Sequence, residues 1–463
     1  MRPIVAALAA LAVLVGALLW WFKFDHHAPR AALTAPLQAI GRKIPVDIDI
    51  RADTPGLRAV RVRLQAGGNA YDLFTDAVPA TSWRGSGVTE KRVRVDADLG
   101  ALNVPEGPAT LDVFVDTYGW RLPGTGRGPQ LSVPLTVDLT PPTIEVLSTQ
   151  HNMRLGGVEV VVFRQSPDTV RSGVEVDRYF FTAVGGYFAD LGIAFGLFAV
   201  PQDLTAEARP QLVAQDAAGN RREVAIPCLI KPRHFAERTL AIDDAFLTTK
   251  VPEIERANNL PHNADPVQGY LAINRELRQR NEARIRQLTA KSLPTPLWDG
   301  VFHRQTNAAP LSSFADRRSY TYNGTVIDHQ VHLGYDLASL KLSPVEATQS
   351  GVVVFADNLG IYGNTVILDH GLGIFSLYGH LSTLAVRPGE RVTTGQTLGQ
   401  TGATGLASGD HLHFSVMLQG VHVDPVEWWD GKWLKEHITA KLGMFPRPVP
   451  AAPKEPANEQ KKP

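Results

Sequence analysis

His411-Leu412-His413-Phe414-Ser415-Val416 alternates polar and apolar positions, and two of its polar positions are imidazoles. Read as a strand, that period of two places His411 and His413 on one face. Two further short runs carry the same kind of side chain: His332-Leu333-Gly334-Tyr335-Asp336 and Tyr378-Gly379-His380-Leu381. His332, Asp336, His380, His411 and His413 can all bind, or work beside, a divalent metal. A lone histidine is more often a structural residue than a ligand, but a set drawn from three compact motifs points to one ion. An imidazole–carboxylate–imidazole set suits Zn2+, which favours four-coordination and keeps one position open for water in catalytic sites. Gly334 lets the chain turn so that His332 and Asp336 reach one ion, and His413 would complete the set. Structural zinc sites close all four positions and usually use cysteine. The single cysteine, Cys228, lies far from these motifs and reads as a small core residue, so an open, catalytic site is expected.

Around these motifs the chain from 302 to 433 reads as β-rich. Gly351-Val352-Val353-Val354-Phe355 and Thr365-Val366-Ile367-Leu368 are strand-like, and glycines such as Gly389, Gly395 and Gly402 mark tight turns. The region resembles the lysostaphin/LytM-type zinc endopeptidases, which cut peptidoglycan cross-links. The likeness rests on His332 through Asp336, on Tyr378-Gly379-His380-Leu381, and on His411-Leu412-His413 followed by Phe414. Ser313-Phe314 with Arg317-Arg318, Asp369-His370-Gly371, Pro388-Gly389 through Gly395-Gln396, and Val423-Asp424-Pro425 add to it. It covers about 308–429 and says nothing of the chain before. One departure is Ala315, where a glycine is more usual after the Ser-Phe pair; no catalytic consequence is expected.

The resemblance implies that His332, Asp336 and His413 ligate one zinc ion (Zn2+) per site. It leaves His380 and His411 for chemistry, with His411 as the base and His380 as the oxyanion partner, roles that can be exchanged. A metal-activated water would then attack an amide in the peptide stems of peptidoglycan. His329 reads as a donor behind the ligands or a surface residue, His370 as a turn or strand-pairing residue, and His422 as a residue of the cleft rim. Tyr335 and Tyr378 read as cleft wall.

At the other end of the chain, Arg2 precedes an uncharged run from Pro3 to Phe22 that ends in Trp20-Trp21-Phe22. About 20 apolar residues span a bilayer, and Trp favours its interface. A cleaved secretory signal would have a shorter apolar core and small residues behind it. Residues 1–24 are therefore expected to be an uncleaved, single-pass anchor in the cytoplasmic membrane. The basic N-terminus stays inside and the rest is exported, with the catalytic domain in the periplasm.

Between anchor and motifs the expected architecture is mainly β. Alternating runs such as Val46-Asp47-Ile48-Asp49-Ile50 and Val60-Arg61-Val62-Arg63-Leu64 predict a β-sandwich module over 43–137. A second, immunoglobulin-like β module is expected over 138–249, from the TPPT entry at Thr140 to the Asp216-Ala217-Ala218-Gly219-Asn220 turn. Asp265-Pro266 starts a helix that runs from Val267 to Leu288 within an amphipathic linker, 252–296. Its arginines (Arg275, Arg278, Arg280, Arg284, Arg286) read as a solvated face. The tail, 445–463, is rich in Pro and Lys and is expected to be disordered.

The 463 residues carry equal numbers of acidic and basic groups, 46 of each, so nothing favours nucleic acid as a partner. Two other functions compete with hydrolysis: a catalytically silent member of the same fold that activates another wall hydrolase, and a lipoyl-type carrier. Retention of all five side chains counts against the first, and no modification lysine in a turn supports the second. The β modules and helix are expected to gate the cleft, with a regulatory protein partner unspecified.

Overall fold

Seven strands of the sheet that carries the histidine motifs run edge to edge in the order Ala309–Ser312, Tyr335–Ala338, Leu412–Leu418, Ile374–Leu381, Asn364–Gly371, Gly351–Asn358 and Arg391–Val392. An eighth, Val421–Val423, pairs with Leu412–Leu418. The structure is a computed structural model that describes residues 2–448 except 26, 44, 54 and 121–127. Antiparallel register assigns the faces. Phe375 pairs with Met417, Leu377 with Ser415 and Gly379 with His413, while Asp336 also pairs with His413. One face thus carries Phe375, Leu377 and Met417 and ends in His413 and Asp336. The other carries Tyr378, Phe414, Val416 and Leu337. Every residue of Ile374–Leu381 and Leu412–Leu418 is buried, so each face needs its own cover.

Helices cover the first face. Asp244–Ala257 is capped by the Asp243 carboxylate, which accepts from Phe246 N. The second helix is capped by Asp265 with Pro266 in its first turn; it runs Pro266–Ala272, passes through a π-helical turn, Ile273–Leu277, and ends as Arg278–Leu288. Val251, Ile254, Ile273 and Ile285 pack with Phe375, Leu377 and Met417 in one cluster. The first of these helices lies partly inside 138–249, which was expected to be all β: Leu247, Val251 and Ile254 recur at helical spacing and are buried. The arginines are not all solvated either. Arg275 Nε donates to Asp328 Oδ1 at 2.9 Å, and Arg278 Nε folds back onto Asn274 O at 3.1 Å.

The second β region covers the other face. Val158–Gln165 lies between Ile193–Ala199 and Ile144–Val146, and the apolar runs of its first two strands are buried almost throughout. They share one continuous core with Phe302, Leu337, Phe414, Val416 and Trp428. Polar ties close the seam. Val158 N donates to Glu427 Oε2 at 3.0 Å. Lys441 Nζ and His437 Nδ1 reach the fully buried Glu159 at 2.7 and 2.9 Å. The Gln419 amide pairs with both the N–H and the C=O of Thr182. The stretch 138–249 is therefore not a body of its own, contrary to expectation. The chain divides into two compact units: 1–143 with 166–171 and 214–222, and 144–165 with 172–213 and 223–463. The packed chain also runs beyond the expected start of the tail, since Phe445 lies against Phe188 at 5.8 Å and Ala189 N donates to Pro446 O. The rest of that tail, 449–463, lies outside the described residues.

The first unit has its own core. A five-stranded and a three-stranded sheet enclose Ile48, Val60, Val62, Leu111 and Val113, and the strand Pro45–Arg51 buries alternate residues as its sequence period requires. The helix Arg2–Lys23 is long and apolar enough to cross a membrane.

Candidate active site

Three donor atoms converge at the end of the sheet's helical face. His332 Nε2 lies 2.9 Å from Asp336 Oδ1 and 3.0 Å from His413 Nδ1, and His413 Nδ1 lies 3.0 Å from Asp336 Oδ1. All three residues are buried. Their hydrogen-bond partners decide which nitrogens carry protons. His332 Nδ1 donates to Ser313 O at 2.9 Å, which leaves Nε2 with its lone pair. Ser415 Oγ donates to Leu333 O at 2.8 Å and so accepts from His413 Nε2 at 3.1 Å, which leaves His413 Nδ1 with its lone pair. Two imidazole lone pairs and a carboxylate oxygen thus face one another with no proton between them. Such a set is mutually repulsive unless a cation sits among them, and sides of about 3 Å let one ion reach all three at about 2.0–2.2 Å, the range of Zn–N and Zn–O bonds. The donor set therefore fits zinc.

The other two histidines stand beside this point. His411 Nδ1 donates to Gly409 O and His380 Nδ1 to Thr404 O, each at 2.8 Å, so both present Nε2 as the free nitrogen. His411 Nε2 is 3.6 Å from Asp336 Oδ1, and the two rings are 4.9 Å apart. His380 comes by an irregular route. Gly379 faces His413, so a regular strand would send His380 to the opposite face with Tyr378. A φ of +64° at His380 breaks the alternation and brings its ring to 5.7 Å from His413.

Burial pushes His413 down to about 4 and His380 well below the usual imidazole range. Burial also acts against the charge of Asp336, but the surrounding imidazoles hold its carboxyl well below the carboxylate range. For His411 burial is outweighed by Asp336, and its pKa is raised.

Several site residues do not stand out in the sequence. Arg318 donates to Asp336 Oδ2 at 2.9 Å and so aims Oδ1 at the two imidazoles; it also holds Ser312 Oγ at 2.9 Å. Tyr362 lies with its ring 5.2 Å from that of His413, its hydroxyl donating to Glu282 Oε1 of the long helix at 2.6 Å. Gly334 serves less as a turn than as space: a Cβ there would collide with the His413 imidazole and with Ser415 Oγ. Ala315, at φ +63°, donates its N–H to His332 O at 2.8 Å.

Tyr335 and Tyr378 are not cleft wall. Tyr335 packs on Trp429, and the buried Tyr378 hydroxyl accepts from Thr348 N at 2.8 Å. His422 is not at the rim but buried, bonded to Glu282 Oε2 at 3.2 Å. His370 sits in its strand, bonded to Ser350 O and Ser376 Oγ. His329 is exposed and lies 3.1 Å from Ser319 Oγ.

The model of peptidase family M23 matches residues 330–425. Lipoprotein NlpD of Yersinia enterocolitica is 39% identical over 94 residues, which are 20% of this chain and 96% of that protein. The chain belongs to peptidase family M23.

Its M23 domain is also 34% identical over 116 residues to peptidoglycan DD-endopeptidase ShyA of Vibrio cholerae, covering 25% of this chain and 26% of that one. The catalytic domain of lysostaphin from Staphylococcus simulans is 30% identical, covering 27% of this chain and 92% of that structure with a TM-score of 0.23. The chain spans only about a quarter of the length of the first curated relatives it matches. The cleft of about 700 Å³ that holds the cluster is not made by the M23 match alone. Arg238 through Asp243, Phe246, Tyr270 and Arg278 border it together with Tyr362 and the Leu406–Asp410 loop.

Proposed function

We propose that the chain is a zinc endopeptidase that cleaves peptide cross-links of bacterial peptidoglycan, held in the cytoplasmic membrane by Arg2–Lys23 with its cleft outside the cytoplasm. The observation that carries this reading is the convergence of His332 Nε2, Asp336 Oδ1 and His413 Nδ1 in a cleft that also holds two uncommitted imidazole nitrogens. A zinc ion held there supplies Lewis-acid polarisation of the scissile carbonyl and activation of water. Arg318 keeps Asp336 oriented. Ser313 O and Ser415 Oγ keep the ligand tautomers fixed.

His411, whose Nε2 stands next to the point of convergence, takes the proton of the attacking water and returns it to the leaving amine. His380, whose Nδ1 proton is committed to Thr404 O, stabilises the negative charge that grows on the amide oxygen once its Nε2 is also protonated. A D-Ala–diaminopimelate link fits an exported setting, and the DD-endopeptidase activity in the name of the Vibrio relative supports the same class of bond. The rival reading is a silent activator of another hydrolase; the presence of all three ligands and both imidazoles weighs against it.

The test is hydrolysis of cross-linked muropeptide dimers. His411→Ala is expected to keep zinc and to lose at least about 100-fold in rate, the lower end for a general base. His380→Gln supplies an N–H donor and is expected to be more active than His380→Ala. Full activity in His411→Ala overturns the assignment of roles.

A further inference from the structure

The strand Glu237–Ile242 lies outside the M23 match. It pairs in parallel with Arg317–Tyr322 at the end of a three-stranded sheet. Among the described residues nothing pairs with its other edge. The cleft is bordered by Arg238, Thr239, Leu240, Ala241, Ile242 and Asp243 in unbroken succession, but on the neighbouring strand only by Arg318 and Tyr320. Successive side chains of a strand leave by opposite faces. Arg318 and Tyr320 therefore present one face of the sheet to the cleft. Consecutive residues can all border it only where the cleft runs along the strand's edge. Such an edge carries a row of free N–H and C=O groups, the template on which an extended peptide adds as a further strand. Thr239 and Ala241 are exposed, so no bulky side chain covers it.

Position selects the occupant. Arg238 Nε meets Asp316 Oδ2 at 2.8 Å, and that oxygen accepts from Ser312 Oγ at 3.1 Å. Arg318 then joins Ser312 to Asp336 by two contacts of 2.9 Å. The Arg238 end of the strand is thus tied to the ligand cluster. The 6-residue strand gives a docking edge about 20 Å long at about 3.3 Å per residue.

We propose that Glu237–Ile242 is the substrate-docking strand, and that the peptide stem pairs main chain to main chain along its free edge so that the scissile amide arrives at the cluster. This rests on the endopeptidase reading above. Main-chain pairing recognises amides whatever the side chains, and a D-residue in an extended segment changes only the face by which its side chain leaves. The edge therefore suits a peptide of mixed chirality.

In a strand paired on one side, alternate residues turn both N–H and C=O outward, so Thr239→Pro and Leu240→Pro remove one inward and one outward N–H. Proline is tolerated where the N–H is free and breaks the ladder where it is paired, so the melting temperature of the full-length protein identifies the outward variant. That variant is expected to raise KM for a muropeptide dimer about tenfold, the scale of one amide hydrogen bond, with kcat unchanged. It should weaken binding of an uncleaved disaccharide-tetrapeptide by a similar factor. As a second readout, the disaccharide-tetrapeptide should slow hydrogen exchange at alternate amides of 237–242 in the wild type.

Unchanged KM and affinity in the stable variant, or no protection in the exchange experiment, overturns docking while wild-type cleavage leaves the endopeptidase reading standing. Protection at the edge without any cleavage supports docking and fails the endopeptidase reading alone. Protection by an all-L test peptide but not by the disaccharide-tetrapeptide makes the edge a protein-docking strand and also overturns the proposal.

Discussion

A methyl group at Ala315 occupies a left-handed backbone position, and the turn it belongs to supports His332 through its own N–H. An alanine there costs about 1–2 kcal/mol of local strain, against about 0.8 kcal/mol gained by burying the methyl and about 0.5–1 kcal/mol for the lower entropy of its unfolded chain. These terms nearly cancel. Ala315→Gly should therefore leave stability within about 0.5 kcal/mol of wild type, whereas Ala347→Gly, equally buried and outside the left-handed region, should cost about 1–2 kcal/mol. Urea unfolding of the two variants decides it; equal losses contradict the strain at 315. The three motifs made the five site residues recognisable, because residue type and spacing are what a sequence records. The left-handed turn at His380, the hydroxyl of Ser415 behind His413 and the grip of Arg318 on Asp336 were not recognisable. They depend on backbone angles and partners distant in the chain.

At the level of elements, the strand Asn364–Gly371 sets a pH dependence apart from the histidine cluster. Burial holds His370 neutral, with its pKa pushed down to about 4, between Ser350 O and Ser376 Oγ. The unfolded imidazole binds its proton near 6.5. Below that pH the unfolded state takes up a proton that the native state refuses until about 4, so stability is undiminished above about 6.5 and falls as pH drops towards about 4, by up to about 3 kcal/mol. Chemical denaturation at a series of pH values should show this decline in the wild type and a shallower one in His370→Gln; parallel curves contradict it. The strands of the M23 domain were legible from their β-branched runs, and the long helix from Asp265-Pro266. The helix Asp244–Ala257 was missed because it follows directly on a strand-like run in a β-rich stretch.

For the whole molecule, the sheet needs both its covers. A fragment beginning at Leu297 lacks the helices and the second β region and bares Phe375, Leu377 and Met417 on one face and Phe414 and Val416 on the other. Such a fragment should bind a hydrophobic dye and self-associate while a chain beginning at Asp25, freed of the exposed apolar helix, does not; a monodisperse fragment that leaves the dye dark contradicts the shared core. A separate second module was the natural expectation from turn residues and strand spacing. Fully buried runs such as Ile193–Ala199 show that a sheet is covered on both faces but not by what. The same limit hid the wall of the cleft, since the family motifs stop at the strands that carry the histidines.

The central claim is that the three converging donors and two free imidazoles form a zinc endopeptidase. Its most direct test is mass spectrometry of cross-linked muropeptide dimers incubated with the full-length protein, before and after chelation and with one equivalent of zinc restored. Conversion of dimers to monomers, lost on chelation and recovered with zinc, is the predicted result. Dimers left intact by the zinc-loaded protein, or cleavage indifferent to the chelator, would contradict it.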